Sequence, residues 1–106
     1  MESLYIAWCT YPDEKTAREN ARRIVESHLA ACVWIVKSLS SIYWWEGKIQ
    51  EDEEYVLFIK TTRRRIPHVQ KMLLQHHPYS LPEFLAFPAE IVSEPYLQWV
   101  VEQVKE

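Results

Sequence analysis

Glycine occurs only once in this chain of 106 residues, at Gly47. Average usage of about 7% would give roughly seven glycines. Walker loops, dinucleotide fingerprints and EF-hand loops all need glycine at fixed positions, because their backbone adopts a positive φ or lies very close to a ligand. The sequence therefore excludes these sites and predicts a stiff domain built from strands and helices.

Composition narrows the class of protein further. Hydrophobic residues make up 48% of the chain and charged residues 25%, which is typical of a folded, soluble domain. The net charge of −3 offers no basic surface for nucleic acid. The longest apolar run, residues 29–36, is far shorter than the roughly 20 residues of a membrane-spanning helix. We expect one cytoplasmic domain over residues 1–106 that binds neither nucleic acid nor membrane, with Cys9 and Cys32 as reduced thiols.

Hydrophobic periodicity predicts four strands and three helices. The predicted strands cover residues 3–11, 31–49, 55–59 and 84–92, and the predicted helices cover residues 13–28, 62–76 and 95–104. Asp13 is the expected N-cap of the first helix. The polar residues 37–41 indicate a bend or bulge within the second strand, and the acidic residues 51–54 indicate the turn after it. Pro88 indicates an edge or a bulge in the last strand, because proline has no amide hydrogen for the ladder.

This order of elements is βαββαβ with an extra C-terminal helix, which predicts an α+β, ferredoxin-like fold. Right-handed crossovers then place the first strand between the third and the fourth. Cys9 and Cys32 are expected about 10 Å apart across two strand spacings, too far for a disulfide, which needs Cα atoms within about 7 Å.

The second and third strands form a hairpin too long for so small a core. Its aromatic residues Tyr43, Trp44 and Trp45 would be uncovered in a single chain, which indicates a partner chain. Gly47 lies inside this aromatic segment, where the lack of a side chain permits a bulge or the close approach of a neighbouring chain.

Three common functions of this fold do not fit the residues. An RNA-recognition motif needs a glycine and exposed aromatic residues in the third strand, which has no glycine. A soft-metal chaperone needs a second cysteine three residues after Cys9. An acylphosphatase-like loop needs an arginine that binds phosphate, and Pro12 and Asp13 give the wrong shape and charge there.

A set of short motifs, each weak alone, resembles the CutA family of divalent-cation tolerance proteins over nearly the whole chain. The motifs are Pro12-Asp13 with residues 16–18, Leu29 to Val33, Ser41 to Ile49, Lys60-Thr61, residues 76–79 with Pro82-Glu83, and Tyr96 to Trp99. Two positions depart from the family pattern. Trp34 stands where asparagine is usual, and Val92-Ser93 stands where a glycine commonly precedes the final helix.

The resemblance implies a ferredoxin-like protomer in a tight homotrimer, with the long hairpins completing the sheets of neighbouring protomers. It also implies a cytoplasmic protein linked to copper and other divalent metals, without an established catalytic activity.

The predicted topology gives a candidate metal site. The end of the first strand, the end of the second helix and the start of the fourth strand share one edge of the sheet, so Cys9, His76, His77 and Glu83 are expected to converge there. A thiolate with imidazoles suits copper or zinc, and a carboxylate completes such a site. The other interpretation is structural, with Cys9 as a small buried hydrophobe and the histidines capping a helix end.

A second group, Tyr43, Trp45, Lys60 and Tyr79, is a candidate intersubunit pocket for a small molecule. In the competing interpretation these aromatic residues are interface core and Lys60 is ion-paired or reaches solvent.

The first hypothesis is a trimeric, chiefly copper-binding protein of divalent-cation tolerance. The alternative is a trimeric small-molecule sensor or signalling scaffold that resembles the PII proteins, with adventitious metal binding. No catalytic constellation is visible, so we expect a protein that is not an enzyme.

Overall fold

The computed structural model describes residues 2–105 and confirms the α+β, ferredoxin-like prediction. Its elements are β1 (Leu4–Tyr11), α1 (Glu14–Glu26), β2 (Cys32–Trp45), β3 (Lys48–Thr62), α2 (Ile66–Gln75), β4 (Phe84–Pro88) and α3 (Glu94–Val104), with a 3₁₀ turn (Arg63–Arg65) before α2. The strands form one sheet in the order β2-β3-β1-β4. Neighbouring strands are antiparallel, and β1 lies between β3 and β4 as predicted. The described residues contain no helix that is long and apolar enough to cross a membrane.

Local sequence explains where the helices begin. Asp13 caps α1 as predicted, because its carboxylate accepts a hydrogen bond of 2.7 Å from the Thr16 amide. The second helix begins at Ile66 rather than at residue 62, because residues 63–65 form the tighter 3₁₀ turn. Pro67 lies in the first turn of α2, where its missing amide hydrogen costs nothing.

The hairpin turn differs from the prediction. It lies at Glu46 and Gly47, and the acidic residues 51–54 lie within β3, paired with residues 39–42 of β2. Glu46 has a φ of 50° and Gly47 a φ of 78°, the left-handed backbone that a tight two-residue hairpin turn requires. A side chain at Gly47 would meet nothing within 4 Å in this chain. Its glycine is thus explained by backbone conformation.

Two irregularities shape the outer strands. The expected bulge in β2 is present, since the pairing with β3 shifts between Val36 and Leu39 and Ser38 has a φ of 55°. The fourth strand ends at Pro88 instead of residue 92, because proline cannot donate to the ladder. Both β2 and β4 are edge strands of the sheet.

The two faces of the sheet differ because alternate side chains point to opposite sides. One face carries Ala7, Cys9 and Tyr11 of β1 and forms the buried core with α1 and α2. We call the other side the aromatic face; it carries Trp8, Trp34, Phe58 and Phe87, whose rings contact one another across all four strands. Helix α3 covers one end of this face, beside Leu4 and Lys60. Trp34 and Phe87 stay exposed at 55% and 40%.

Candidate functional site: a cleft beside the long hairpin

A cleft of about 540 Å³ separates the outer part of the hairpin from the segment that joins α2 to β4. We call it the hairpin cleft. Residues that line it include Thr10, Tyr43, Trp45, Glu54, Tyr79 and Glu83. The bulge in β2 and the long strand β3 carry the hairpin residues to this position, and Pro78 breaks α2 so that the chain turns back along the cleft.

Two tyrosines are held in the cleft by acidic residues of β3. The Tyr79 hydroxyl donates a hydrogen bond of 3.1 Å to Glu54, and the Tyr43 hydroxyl donates one to Asp52. Burial, followed by the charge of Glu54, raises the pKa of Tyr79, so the phenol stays protonated at neutral pH. The acidic residues of β3 therefore fix the cleft's shape and give it a negative charge.

His77 ties the segment after α2 to the end of β1. Its Nε2 lies 2.7 Å from the carbonyl oxygen of Thr10, and the Tyr79 amide donates a 3.1 Å hydrogen bond to its Nδ1. Because an amide can only donate, Nδ1 is unprotonated, and Nε2 carries the hydrogen that it donates to Thr10. The ring also stacks on Tyr11 with centroids 4.5 Å apart. Burial lowers the pKa of His77, which favours this neutral form.

Cys9 lies behind the cleft, on the core face of the sheet. Its side chain is completely buried, and burial raises the pKa of the thiol to about 11. The metal ligand is the thiolate, which is scarce at neutral pH for such a group. Cys9 and Cys32 are both unpaired.

The structure brings only some of the predicted metal-site residues together. Within residues 2–105 no group of three or more His, Cys, Asp or Glu side chains is arranged to hold a metal ion. Glu83 lines the cleft, and His76 is exposed at the end of α2. Cys9 points into the core, and the two ring nitrogens of His77 are already hydrogen-bonded. The shared sheet edge is real, but the burial of Cys9 and the hydrogen bonds of His77 keep the four side chains from forming one ligand set.

The predicted small-molecule pocket is divided between two places. Tyr43, Trp45 and Tyr79 line the hairpin cleft, whereas Lys60 lies in a different cavity, under α3. The pairing explains this: Tyr43 lies opposite Gln50 of β3, which is ten residues, or about 33 Å of extended chain, from Lys60.

The sequence pattern does not reveal two residues of these sites. It predicts Glu54 in a turn, because acidic residues are common in turns, whereas Glu54 lines the cleft from within β3. It marks Trp34 only as a departure from a family pattern, whereas the Trp34 ring lies against Lys60. Placing the turn at Glu46-Gly47 would have set the register of the hairpin and revealed the position of Glu54.

Known proteins match nearly the whole chain. Residues 5–103 match the family model described as "CutA1 divalent ion tolerance protein". The human protein CutA is 45% identical over 98 residues, which are 92% of this chain and 55% of that protein. The divalent-cation tolerance protein CutA of Thermus thermophilus is 43% identical over 93 residues, 88% of this chain and 90% of that one. The chain thus spans about half the length of its human, mouse and bovine relatives.

Solved structures agree with the sequence matches. The crystal structure of CutA1 from Oryza sativa superposes with a TM-score of 0.94 at 34% identity, covering 98% of this chain and 95% of that one. The divalent cation tolerance protein Cut A1 from Thermus thermophilus gives a TM-score of 0.91 at 40% identity, covering 95% and 98%. On the sequence match over residues 5–103 and these shared folds, the chain belongs to the CutA1 divalent ion tolerance protein family.

Proposed function

We propose that this chain binds divalent metal ions, chiefly copper, at the hairpin cleft, and does so as a cytoplasmic homotrimer that is not an enzyme. Membership of the divalent ion tolerance family supports the metal class. The observation that carries the site is the hairpin cleft, which is lined by Glu54, Glu83 and Pro78. The exposed His76 lies at the end of α2, two residues before Pro78. The two unpaired cysteines are consistent with a reducing compartment.

The donor set favours copper. Imidazole nitrogen and carboxylate oxygen are typical ligands of Cu(II), and among divalent first-row metals Cu(II) binds a given nitrogen and oxygen site most tightly. Our proposal assigns His76 and Glu83 as ligands, with the remaining positions filled by water or by a neighbouring protomer. Cys9 and His77 are not assigned as ligands, because burial keeps the thiol protonated and both imidazole nitrogens are hydrogen-bonded. His77 instead ties the segment after α2 to the end of β1.

Titration with Cu(II) tests this assignment. Calorimetry and electron paramagnetic resonance should show about one site per chain, with nitrogen coupling in the spectrum. His76→Ala should remove that coupling and weaken binding by about 10 to 100-fold, and Glu83→Gln should weaken it similarly. His68→Ala is the matched control, since His68 is another exposed histidine of α2. Unchanged affinity and spectrum in His76→Ala with Glu83→Gln would contradict the assignment.

Exposed apolar surface supports the homotrimer. Beyond the bulge the hairpin exposes a run of large apolar side chains, among them Ile42 at 69%, Trp44 at 72% and Ile49 at 63%. The aromatic face of the sheet is also open at Phe87, which is 40% exposed. Apolar patches of this kind mark interaction surfaces. Light scattering at micromolar concentration should give near three times 12.7 kDa, and a stable monomer would contradict the proposal.

A further inference from the structure

A second cavity lies under α3 and shares no lining residue with the hairpin cleft. We call it the Lys60 pocket. It measures about 540 Å³, within the usual range for small-molecule sites. The rings of Trp34, Tyr96 and Trp99 form its sides, and Leu4 and Ile6 of β1 add apolar surface.

Lys60 is the one cationic side chain among the residues that line this pocket. Only 8% of the residue is exposed, so most of Lys60 is shielded from solvent. The Nζ atom lies 3.4 Å from the centre of the Trp34 ring and 3.7 Å from Sγ of Cys32. Within residues 2–105, none of the ion pairs involves Lys60.

This arrangement leaves a positive charge incompletely compensated. An ammonium group taken out of water needs an anion or strong hydrogen-bond acceptors, and an aromatic face and a thiol are weak substitutes. A neutral apolar ligand would bury the charge further without pairing it. A metal cation would be repelled by it. A ligand with one carboxylate and a flat apolar body would satisfy both the ammonium group and the aromatic sides.

We propose that the Lys60 pocket binds a small aromatic carboxylate, with the carboxylate on Nζ of Lys60 and the aromatic body between Trp34 and the rings of α3. Trp34 orients the ammonium group, because its ring stacks on Phe58 with centroids 5.2 Å apart and lies 3.4 Å from Nζ of Lys60. A phosphate ester is the poorer match, since a dianion would meet one cation and apolar sides. The proposal goes beyond metal binding and does not depend on it.

Two probes that differ only in charge test the proposal on the intact protein. In calorimetry, 2-naphthylacetate should bind saturably with about one site per chain, and the neutral 2-naphthylethanol should bind at least about tenfold more weakly, the effect of one charge-assisted hydrogen bond. Lys60→Met should reduce the affinity for the acid to that for the alcohol. Lys71→Met is the matched control, because it removes an exposed lysine of α2 and should change neither affinity.

Three results would overturn the proposal. They are equal affinity for acid and alcohol, full affinity for the acid in Lys60→Met, and no saturable binding of the acid up to about 1 mM. Light scattering on Lys60→Met is the remaining control. If this variant assembles less than the unaltered protein, the carboxylate that pairs with Lys60 comes from a second copy of the chain, and the small-ligand proposal is wrong. The copper affinity of Lys60→Met should equal that of the unaltered protein, so the two proposed sites are tested independently of each other.

Discussion

Replacing His77 by phenylalanine isolates the role of its ring nitrogens in holding the hairpin cleft together. Phenylalanine keeps a flat ring that can stack on Tyr11, as the imidazole does at 4.5 Å. It removes the 2.7 Å hydrogen bond to the Thr10 carbonyl and the 3.1 Å hydrogen bond from the Tyr79 amide. The variant therefore changes hydrogen bonding more than packing.

The size of the effect follows from burial. A buried backbone group left without a partner costs about 1–3 kcal/mol. Thr10 is buried, so its carbonyl bears this cost in full, whereas Tyr79 is half-buried and water can reach its amide in part. The larger apolar ring of phenylalanine offsets up to about 1 kcal/mol. We expect His77→Phe to lower the free energy of unfolding by about 2 kcal/mol at pH 8.

The difference in the free energy of unfolding between the unaltered protein and His77→Phe should depend on pH. Burial lowers the pKa of His77 in the folded protein below its ordinary value of 6.5. The unfolded state therefore binds the proton more readily, so the contribution of His77 is complete above about pH 6.5 and falls as the pH falls through the folded pKa. Protonation also removes the lone pair that accepts the Tyr79 amide. Phenylalanine does not titrate, so the stability difference between the two proteins should shrink toward pH 5.

Urea denaturation at matched protein concentrations measures both effects, since the proposed homotrimer would make stability depend on concentration. His77→Asn is the second variant, because its side-chain oxygen can replace Nδ1 as the acceptor for Tyr79 while the Thr10 bond is lost. The free energy of unfolding of His77→Asn should fall by about 1 kcal/mol less than that of a variant that lacks both hydrogen bonds. A His77→Phe protein as stable as the unaltered one at pH 8, or a difference that grows as the pH falls, would refute the reasoning.

Two further predictions test the turn and the thiols. Gly47→Ala should lower the free energy of unfolding by about 1 kcal/mol, because Gly47 has a φ of 78° that alanine rarely adopts. Gly47→Asn should lower it by less, because asparagine tolerates left-handed backbone. Thermal denaturation measures both variants. Iodoacetamide at pH 8 should alkylate Cys32 at least about tenfold faster than Cys9, whose thiol is buried with a pKa of about 11, as followed by mass spectrometry. Equal rates in the folded protein would contradict the burial of Cys9, and equal rates are expected only in urea.

Local sequence patterns are sufficient to predict the order of elements and the strand order of the sheet. The apolar strand that precedes Pro12, the Asp13 cap and the proline in the first turn of α2 each reflect interactions over a few residues, and the handedness of crossovers then fixes the strand order. The position of the hairpin turn is harder to predict, because acidic residues such as those at 51–54 are typical of turns and yet lie in a strand here. Residues 51–53 are exposed in that strand, which removes the usual penalty for charged side chains there, and the half-buried Glu54 accepts a hydrogen bond from Tyr79.

The candidate sites could be predicted only in part, since a sheet edge brings residues near one another without fixing where their side chains point. Alternation along β1 puts Cys9 on the same side as Ala7 and Tyr11, but both sides of this strand are largely apolar, so the pattern does not decide which side is the core. No periodicity rule applies to His77. Its nitrogens are occupied by backbone groups of residues 10 and 79, and this depends on the path of the chain after Pro78.

The two proposed sites have opposite charges, and β3 contributes one lining residue to each. Glu54 in the hairpin cleft and Lys60 under α3 are six residues apart on β3, which is about 20 Å in an extended chain. At physiological ionic strength the screening length is about 8 Å, so the charge of a bound metal ion has little direct effect on a carboxylate at Lys60. Any dependence of one site on the other would therefore have to pass through the register or twist of β3 itself. Affinity for 2-naphthylacetate measured with and without copper distinguishes these cases, because a coupling that persists at high salt is mechanical.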